Sequence, residues 1–230
     1  MPSSDAVLFD LDGTLVDTAP DFIYCINLLR HRRGLPTLPD GSIRPFVSNG
    51  TRAMIQAGFG LTGEALDNTP LIDEFLDLYA EHLTRETRLF PALEQTLDWL
   101  DESGIAWGIV TNKPRRFSSP LIAGLGLEKR CRALVCPDDV IARKPDPESL
   151  LLACRQLDAL PTASLYVGDH FRDIEAGRRA GMKTLAAAWG YIDDIATVAD
   201  WQADTILAQS TDLLPWLKRR YATARSAALD

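Results

Sequence analysis

The 230-residue chain holds little cysteine and little histidine, 4 and 3 residues, and that scarcity already narrows its chemistry. Cys25, Cys131, Cys136 and Cys154 form no CxxC pair, and the histidines lie far from any cysteine pair, so a zinc site is the weaker reading. The thiols read instead as buried and free, in the reducing setting of the cytoplasm. Long apolar runs are missing too, and none approaches the length that crosses a bilayer. The first ten residues carry no basic stretch and their apolar run stops at Asp10, so they do not read as a secretory leader. Positive charge is in deficit: 24 basic against 32 acidic residues leave a net charge of −8. A broad nucleic-acid-binding face needs a basic patch to replace counterions and is not expected here. An anionic small molecule is not excluded, because a local site can be positive on an acidic protein. Internal repeats and low-complexity segments are absent.

What is present suits a folded α/β protein. Hydrophobic residues make up 46% of the chain, which is ordinary for a globular protein, and the length fits one large domain or a core with a smaller insert. Short apolar runs at 6–10, 106–111, 133–136, 165–168, 184–188 and 205–207 read as strands. Most are continuous rather than alternating, as in a parallel sheet covered on both faces. Between them lie amphipathic segments at 91–103, 117–125, 147–157 and 173–180, with Gly104, Gly126 and Gly181 placed to end helices. Alternating strand and helix predicts a doubly wound, Rossmann-like parallel sheet.

One interval breaks the alternation. From about 18 to 90 no buried strand is evident, and helices are expected at 20–32, 42–47, 51–59 and 71–84. Thr18 is placed to cap the first of these, with Asp21 three residues on. The expected division is therefore a core of 1–17 and 91–230 with a helical insert over 18–90, which leaves and re-enters at one place like a lid on two hinges. A last helix is expected over 213–228, with Lys218, Arg219 and Arg220 on a solvated face.

The polar residues concentrate at expected strand ends. Asp10 closes the first strand, Asp12 follows two residues later, and Gly13 permits a sharp turn. Ligand sites of open α/β sheets lie beyond the carboxyl ends of strands. Two carboxylates there are costly unless a metal, a shared proton or solvent compensates them, although Asp-x-Asp-Gly by itself also suits a plain turn. Thr111, Asn112 and Lys113 follow the second core strand, Lys144 precedes an expected helix, and Asp169, His170 and Asp173 follow another strand. Carboxylates from Asp10, Asp169 and Asp173 suit a hard cation such as Mg²⁺.

In this order and spacing the motifs Asp10-Leu-Asp12-Gly-Thr14, Thr111-Asn112, Lys144-Pro145 and Gly168-Asp169-x-x-x-Asp173 resemble those of the haloacid dehalogenase superfamily of phosphotransferases, and the insert resembles its helical C1-type cap. The resemblance implies that Asp10 attacks phosphorus to form an aspartyl-phosphate and that Asp12 acts as general acid and base. It implies phosphate binding by Thr111 and Asn112, charge compensation by Lys144, and Mg²⁺ held by Asp10, the Asp12 carbonyl, Asp169 and Asp173. The presence of Asp12 argues against a dehalogenase. Within the superfamily, Thr111-Asn112-Lys113 resembles the phosphoglycolate phosphatase branch. Segments such as Ile43-Arg44-Pro45-Phe46-Val47-Ser48-Asn49-Gly50 and Gly190-Tyr191-Ile192 resemble bacterial N-acetylmuramic acid 6-phosphate phosphatases. Arg44, Ser48, Asn49 and Gly50 are then the candidate substrate-contacting loop, with Arg44 suited to a carboxylate. Alternatives stay open: Arg44 as a surface cation, Asn49-Gly50 as a plain turn, His170 as substrate-facing or as a loop histidine, and Asp17 as a hinge or a helix-start residue. The implied partner is a small phosphorylated metabolite, on a monomer or homodimer. The rival activities are a sugar-phosphate mutase and a receiver-like regulatory protein phosphorylated on aspartate; receivers are about half this length.

Overall fold

In the computed structural model, which describes residues 5–227, the chain opens with β1 (Ala6–Phe9) and turns through a tight loop into β2 (Val16–Asp17). Four helices follow, α1 (Ala19–Arg32), α2 (Thr51–Phe59), α3 (Gly63–Asp67) and α4 (Leu71–His82), and then β3 (Arg88–Leu89). Beyond β3 helix and strand alternate: α5 (Leu93–Glu102), β4 (Ala106–Val110), α6 (Arg115–Gly124), β5 (Leu134–Val135), α7 (Glu148–Gln156) and β6 (Leu165–Gly168). The chain continues through α8 (Phe171–Arg179), β7 (Lys183–Ala187), β8 (Thr205–Leu207) and α9 (Leu213–Ala227). Residues 1–4 and 228–230 of the expected core, with the last residue of the helix expected over 213–228, lie outside the described part.

All six expected core strands form, and they make one parallel sheet in the order β5-β4-β1-β6-β7-β8. Phe9 lies opposite Ile109 on one side and Val167 on the other, so β1 is central and both neighbours end level with it. The chain moves outward from β1 through β4 to β5, then crosses to β6 on the opposite side. That reversal leaves a crevice at the carboxyl end of β1, where Asp10 stands.

Side-chain alternation divides the core into two layers. Val7, Phe9, Trp107, Ile109, Leu165 and Val167 face α5, α6 and α9 through Leu93, Leu97, Leu100, Leu121 and Leu213. Ala6, Leu8, Ala106, Val110 and Tyr166 face α7 and α8 through Leu150, Ala153, Cys154 and Ala176. Both faces are covered, which is why the strands read as unbroken apolar runs. Gly104, Gly126 and Gly181 end α5, α6 and α8 with φ of 68°, 73° and 75°.

The inserted helices pack on one another, α1 against α2 and α4. Phe22, Ile26 and Leu29 recur at helical spacing on α1 and meet Phe75, Leu78 and Tyr79 of α4. Gly58 lets α2 approach α1, since a Cβ there would stand 2.9 Å from the Ile26 side chain. The segment expected as a helix over 42–47 is instead two 3-10 turns, Asp40–Ser42 and Arg44–Phe46. Pro45 supplies no amide hydrogen there, which removes a donor that a continuous α-helix over 42–47 would use. The antiparallel pair β2–β3 was not expected; Arg88–Leu89 falls inside the interval read as lacking a buried strand, and it is not a buried one.

The start of α1 also departs from expectation. The Thr18 side chain makes no cap bond, because its hydroxyl donates to Asp12 Oδ1 at 2.6 Å. Asp21 is fully buried and reaches away from the helix start, accepting from the Glu86 and Thr87 amides and the Thr87 hydroxyl at 2.7, 3.2 and 2.7 Å. The first amide of α1, at Ala19, is met by Asp17 and the Tyr191 hydroxyl.

Among the described residues no helix is long and apolar enough to cross a membrane. The four cysteines are free; three are buried and Cys131 is half-buried.

Candidate active site

The loop after β1 winds tightly: the Leu15 and Val16 amides both donate to the Leu11 carbonyl, and the Gly13 amide to Val16. Gly13 has φ 82°, and a Cβ there would stand 2.2 Å from Asp169 Oδ2. Glycine therefore serves two needs at once, a left-handed backbone and close approach to a carboxylate.

Four segments distant in sequence meet at this loop. Lys144 Nζ lies 2.9 Å from Asp10 Oδ1 and 2.8 Å from Asp173 Oδ1, and it donates to the Val110 carbonyl at 3.0 Å and the Tyr166 hydroxyl at 2.7 Å. Asp169 accepts from the Thr14 hydroxyl at 3.0 Å, the Ser48 hydroxyl at 2.9 Å and the Tyr191 amide at 2.9 Å. Oxygens of Asp10, Asp169 and Asp173 all lie within 4.8 Å of one another, and all three residues are buried.

Three buried carboxylates face one ammonium. Burial pushes Asp10 above its ordinary range against the pull of Lys144, and burial with Asp10 and Asp173 pushes Asp169 up to about 7. Burial opposes the charge on Lys144, but Asp10 and Asp173 outweigh it and hold the ammonium above its usual value. Among the described residues no lysine or arginine pairs with Asp169. Such a cluster lacks positive charge, and closely spaced carboxylate oxygens are the donor set that hard divalent cations take. The residues therefore fit Mg²⁺ at Asp10, Asp169 and Asp173.

Asp12 stands apart from this trio. Its Oδ1 accepts from Thr18 and, at 2.9 Å, from Lys113 Nζ, which also donates to the Tyr79 hydroxyl at 2.7 Å and lies 4.5 Å from the Phe22 and Tyr79 ring centres. Burial lowers the Lys113 pKa although Asp12 opposes the shift. Lys113 thus ties a core strand end to α1 and α4, a role its place in Thr111-Asn112-Lys113 did not reveal. The Asn112 side chain donates to the Lys144 carbonyl at 3.1 Å and so braces the lysine loop.

Above the cluster lies a cavity of about 570 Å³. Its floor carries Asp10, Asp12, Thr111, Asn112, Lys113 and Lys144, and its far wall carries Phe22, Val47, Met54, Leu76 and Tyr79 from the insert. Ser48, Asn49 and Gly50 line it as well, whereas Arg44 does not. The Arg44 guanidinium is 2.7 Å from Asp17 Oδ2 and lies over the Tyr191 ring, so it braces the junction of β2 and α1. Asp17 serves that junction and the start of α1 together, also accepting from the Tyr191 hydroxyl. None of the five tryptophans lines the cavity.

His170 caps α8: its Nδ1 accepts from the Arg172 amide at 3.1 Å, leaving Nε2 to donate to Asn49 Oδ1 at 3.3 Å. Burial and the nearby Arg172 push its pKa down to about 4, so the ring is neutral in that bridge. Arg172 itself lines the cavity and was missed in the sequence, because nothing marks a cation in the first turn of a helix as site-facing.

Comparison with known proteins follows the same lines. A family model described as haloacid dehalogenase-like hydrolase matches residues 7–187. The chain is 47% identical over 214 residues to N-acetylmuramic acid 6-phosphate phosphatase of Pseudomonas aeruginosa, covering 93% of this chain and 95% of that one. It is 41% identical over 208 residues to phosphoglycolate phosphatase of Xanthomonas campestris, covering 90% and 94%. A crystal structure of a predicted phosphoglycolate phosphatase from Haemophilus somnus superposes with a TM-score of 0.78 at 27% identity, covering 92% of this chain and 97% of that one. With the family model spanning most of the chain and the sheet and its strand-end acids arranged as described, the protein belongs to the haloacid dehalogenase-like hydrolase family.

Proposed function

We propose that this enzyme is a magnesium-dependent phosphomonoesterase acting on N-acetylmuramic acid 6-phosphate. The observation that carries the reaction type is the meeting of Asp10, Lys144, Asp169 and Asp173 in one buried cluster, of which Asp10 and Lys144 reach the floor of the cavity, with Asp12 beside them. In this reading an Asp10 carboxylate oxygen attacks phosphorus and forms an aspartyl-phosphate, which water then hydrolyses. Asp12 gives a proton to the leaving oxygen and later takes one from the water. Lys144 holds Asp10 in place, and Thr111 and the Asn112 amide receive phosphoryl oxygens. Bound Mg²⁺ would supply charge neutralisation and alignment, the main requirements of phosphoryl transfer. The inserted helices of 18–90 act as the lid that excludes water and shapes the substrate pocket.

Cavity size and lining favour the sugar substrate. A volume of about 570 Å³ with Phe22, Met54, Leu76, Tyr79 and Phe117 on its walls suits a sugar ring and an acetamido methyl group. The second reading, 2-phosphoglycolate, is favoured by the 41% identity to the Xanthomonas protein, but that molecule would fill only a small part of the space.

The test is phosphate release with and without Mg²⁺ from N-acetylmuramic acid 6-phosphate, 2-phosphoglycolate, simple sugar phosphates and p-nitrophenyl phosphate. Asp10→Asn is expected to abolish release throughout, and chelation of the metal to do the same. Equal activity of wild type and Asp10→Asn would remove the covalent reading. A higher kcat/KM on 2-phosphoglycolate would reverse the substrate order.

A further inference from the structure

Five cations line the cavity, and four are accounted for. Lys144 is held by Asp10 and Asp173, and Lys113 by Asp12. Arg116 and Arg143 are exposed at the rim. Arg172 is the remaining one: it is half-buried, and among the described residues no carboxylate lies within ion-pair distance of it, although its charge helps to hold the Asp10 carboxyl down. Its Nη2 donates to the Ser48 carbonyl, while its Nε is shielded from solvent and has no partner at all.

This is an expensive place for an arginine. A buried donor left without a partner loses its hydration and gains nothing in return. A cation in the first turn of a helix also faces the positive end of the macrodipole, the wrong end for its charge. An anion entering the cavity would offset both. The phosphoryl group has its own partners at Asp10, Thr111 and Lys144. Arg172 is anchored to Ser48, on the loop just before α2, and lines the cavity together with Ser48, Asn49 and Gly50.

We propose that Arg172 is a specificity-determining residue that binds the carboxylate of the substrate, the role Arg44 is barred from by its pairing with Asp17. This rests on the phosphatase reading above. Both substrates considered there carry a carboxylate besides the phosphate. A guanidinium offers the planar fork that a carboxylate accepts in two parallel bonds, while the Ser48 carbonyl keeps that fork from turning away.

The experiment compares kcat/KM on N-acetylmuramic acid 6-phosphate and N-acetylglucosamine 6-phosphate, which differ by the lactyl ether group that carries the carboxylate, in wild type and Arg172→Leu. Wild type is expected to prefer the carboxylated substrate. Arg172→Leu should reduce that preference by about 10- to 100-fold, mainly through a raised KM on the carboxylated substrate, since one charge-assisted contact is lost. Arg172→Gln, which keeps the stem and a donor, replaces Arg172→Leu if the leucine variant does not fold, and the same loss of preference is expected. A wild type without preference, or an unchanged ratio in the variant, overturns the assignment. Silence of wild type on both sugars and on p-nitrophenyl phosphate overturns the phosphatase reading, and the assignment with it.

Discussion

At the scale of single residues, the site depends on where one ammonium sits. Lys144 has a side chain 1% exposed and touches two carboxylates that are themselves buried. Removing it leaves Asp10 and Asp173 facing each other without compensation, and breaking a buried pair in this way costs about 3–5 kcal/mol. Lys144→Met, which keeps the length of the stem, is therefore expected to lower the unfolding free energy by about that amount. Phosphate release should be lost with it. Urea unfolding read alongside activity checks this, and a variant of wild-type stability would mean that the carboxylates are neutralised by other means. The lysine was legible in the sequence because Lys144 precedes a helix in a chain whose other polar clusters also follow strands. Arg172, Lys113 and Arg44 were not. Their functions depend on which way a long side chain turns, and that is decided by partners such as Ser48, Tyr79 and Asp17, which no local pattern associates with them.

At the scale of elements, α1 is clipped to the segment that leads into β3. Asp21 joins the first turn of that helix to residues 86–87, where the chain returns toward the sheet, with three bonds and no exposure to solvent. Asp21→Ala would leave the Thr87 amide and hydroxyl buried without a partner, and the expected loss is about 2–6 kcal/mol of stability from two such groups. The Glu86 amide is less enclosed and adds less. A urea midpoint unchanged from wild type would show that water replaces the carboxylate. Sequence reasoning took Asp21 for part of a helix cap, because acids in a first turn usually serve the helix itself. It also missed the strands β2 and β3, since two residues cannot display a period. The parallel sheet was readable for the opposite reason: strands such as β1 and β6, buried on both faces, carry their apolar signal in every residue.

At the scale of the whole molecule, stability and metal binding are joined through proton uptake. Asp169 is raised from 3.8 to about 7 by burial, then by Asp10 and Asp173. Between those values the folded chain keeps a proton that the unfolded chain has released, so this group lowers stability as pH rises through the interval, with its full cost above about 7. His170 works the other way. Burial lowers it from 6.5 to about 4, so its contribution is present above 6.5 and is lost as pH falls toward 4. The His170 slope opposes that of Asp169 over most of their range, while Asp10, also raised by burial, adds to the Asp169 slope. The increment from Mg²⁺ should not be flat. A cation needs the carboxylate deprotonated, so binding displaces the Asp169 proton at low pH and meets no such competition above about 7. Excess Mg²⁺ is therefore expected to raise the melting temperature more at pH about 8 than at pH about 5, because stabilisation follows the ratio of metal concentration to apparent Kd. Thermal unfolding with and without chelator at both values measures the difference. An equal increment at the two pH values would mean that the cation does not bind through Asp169, and the trio of Asp10, Asp169 and Asp173 would lose its claim to the metal.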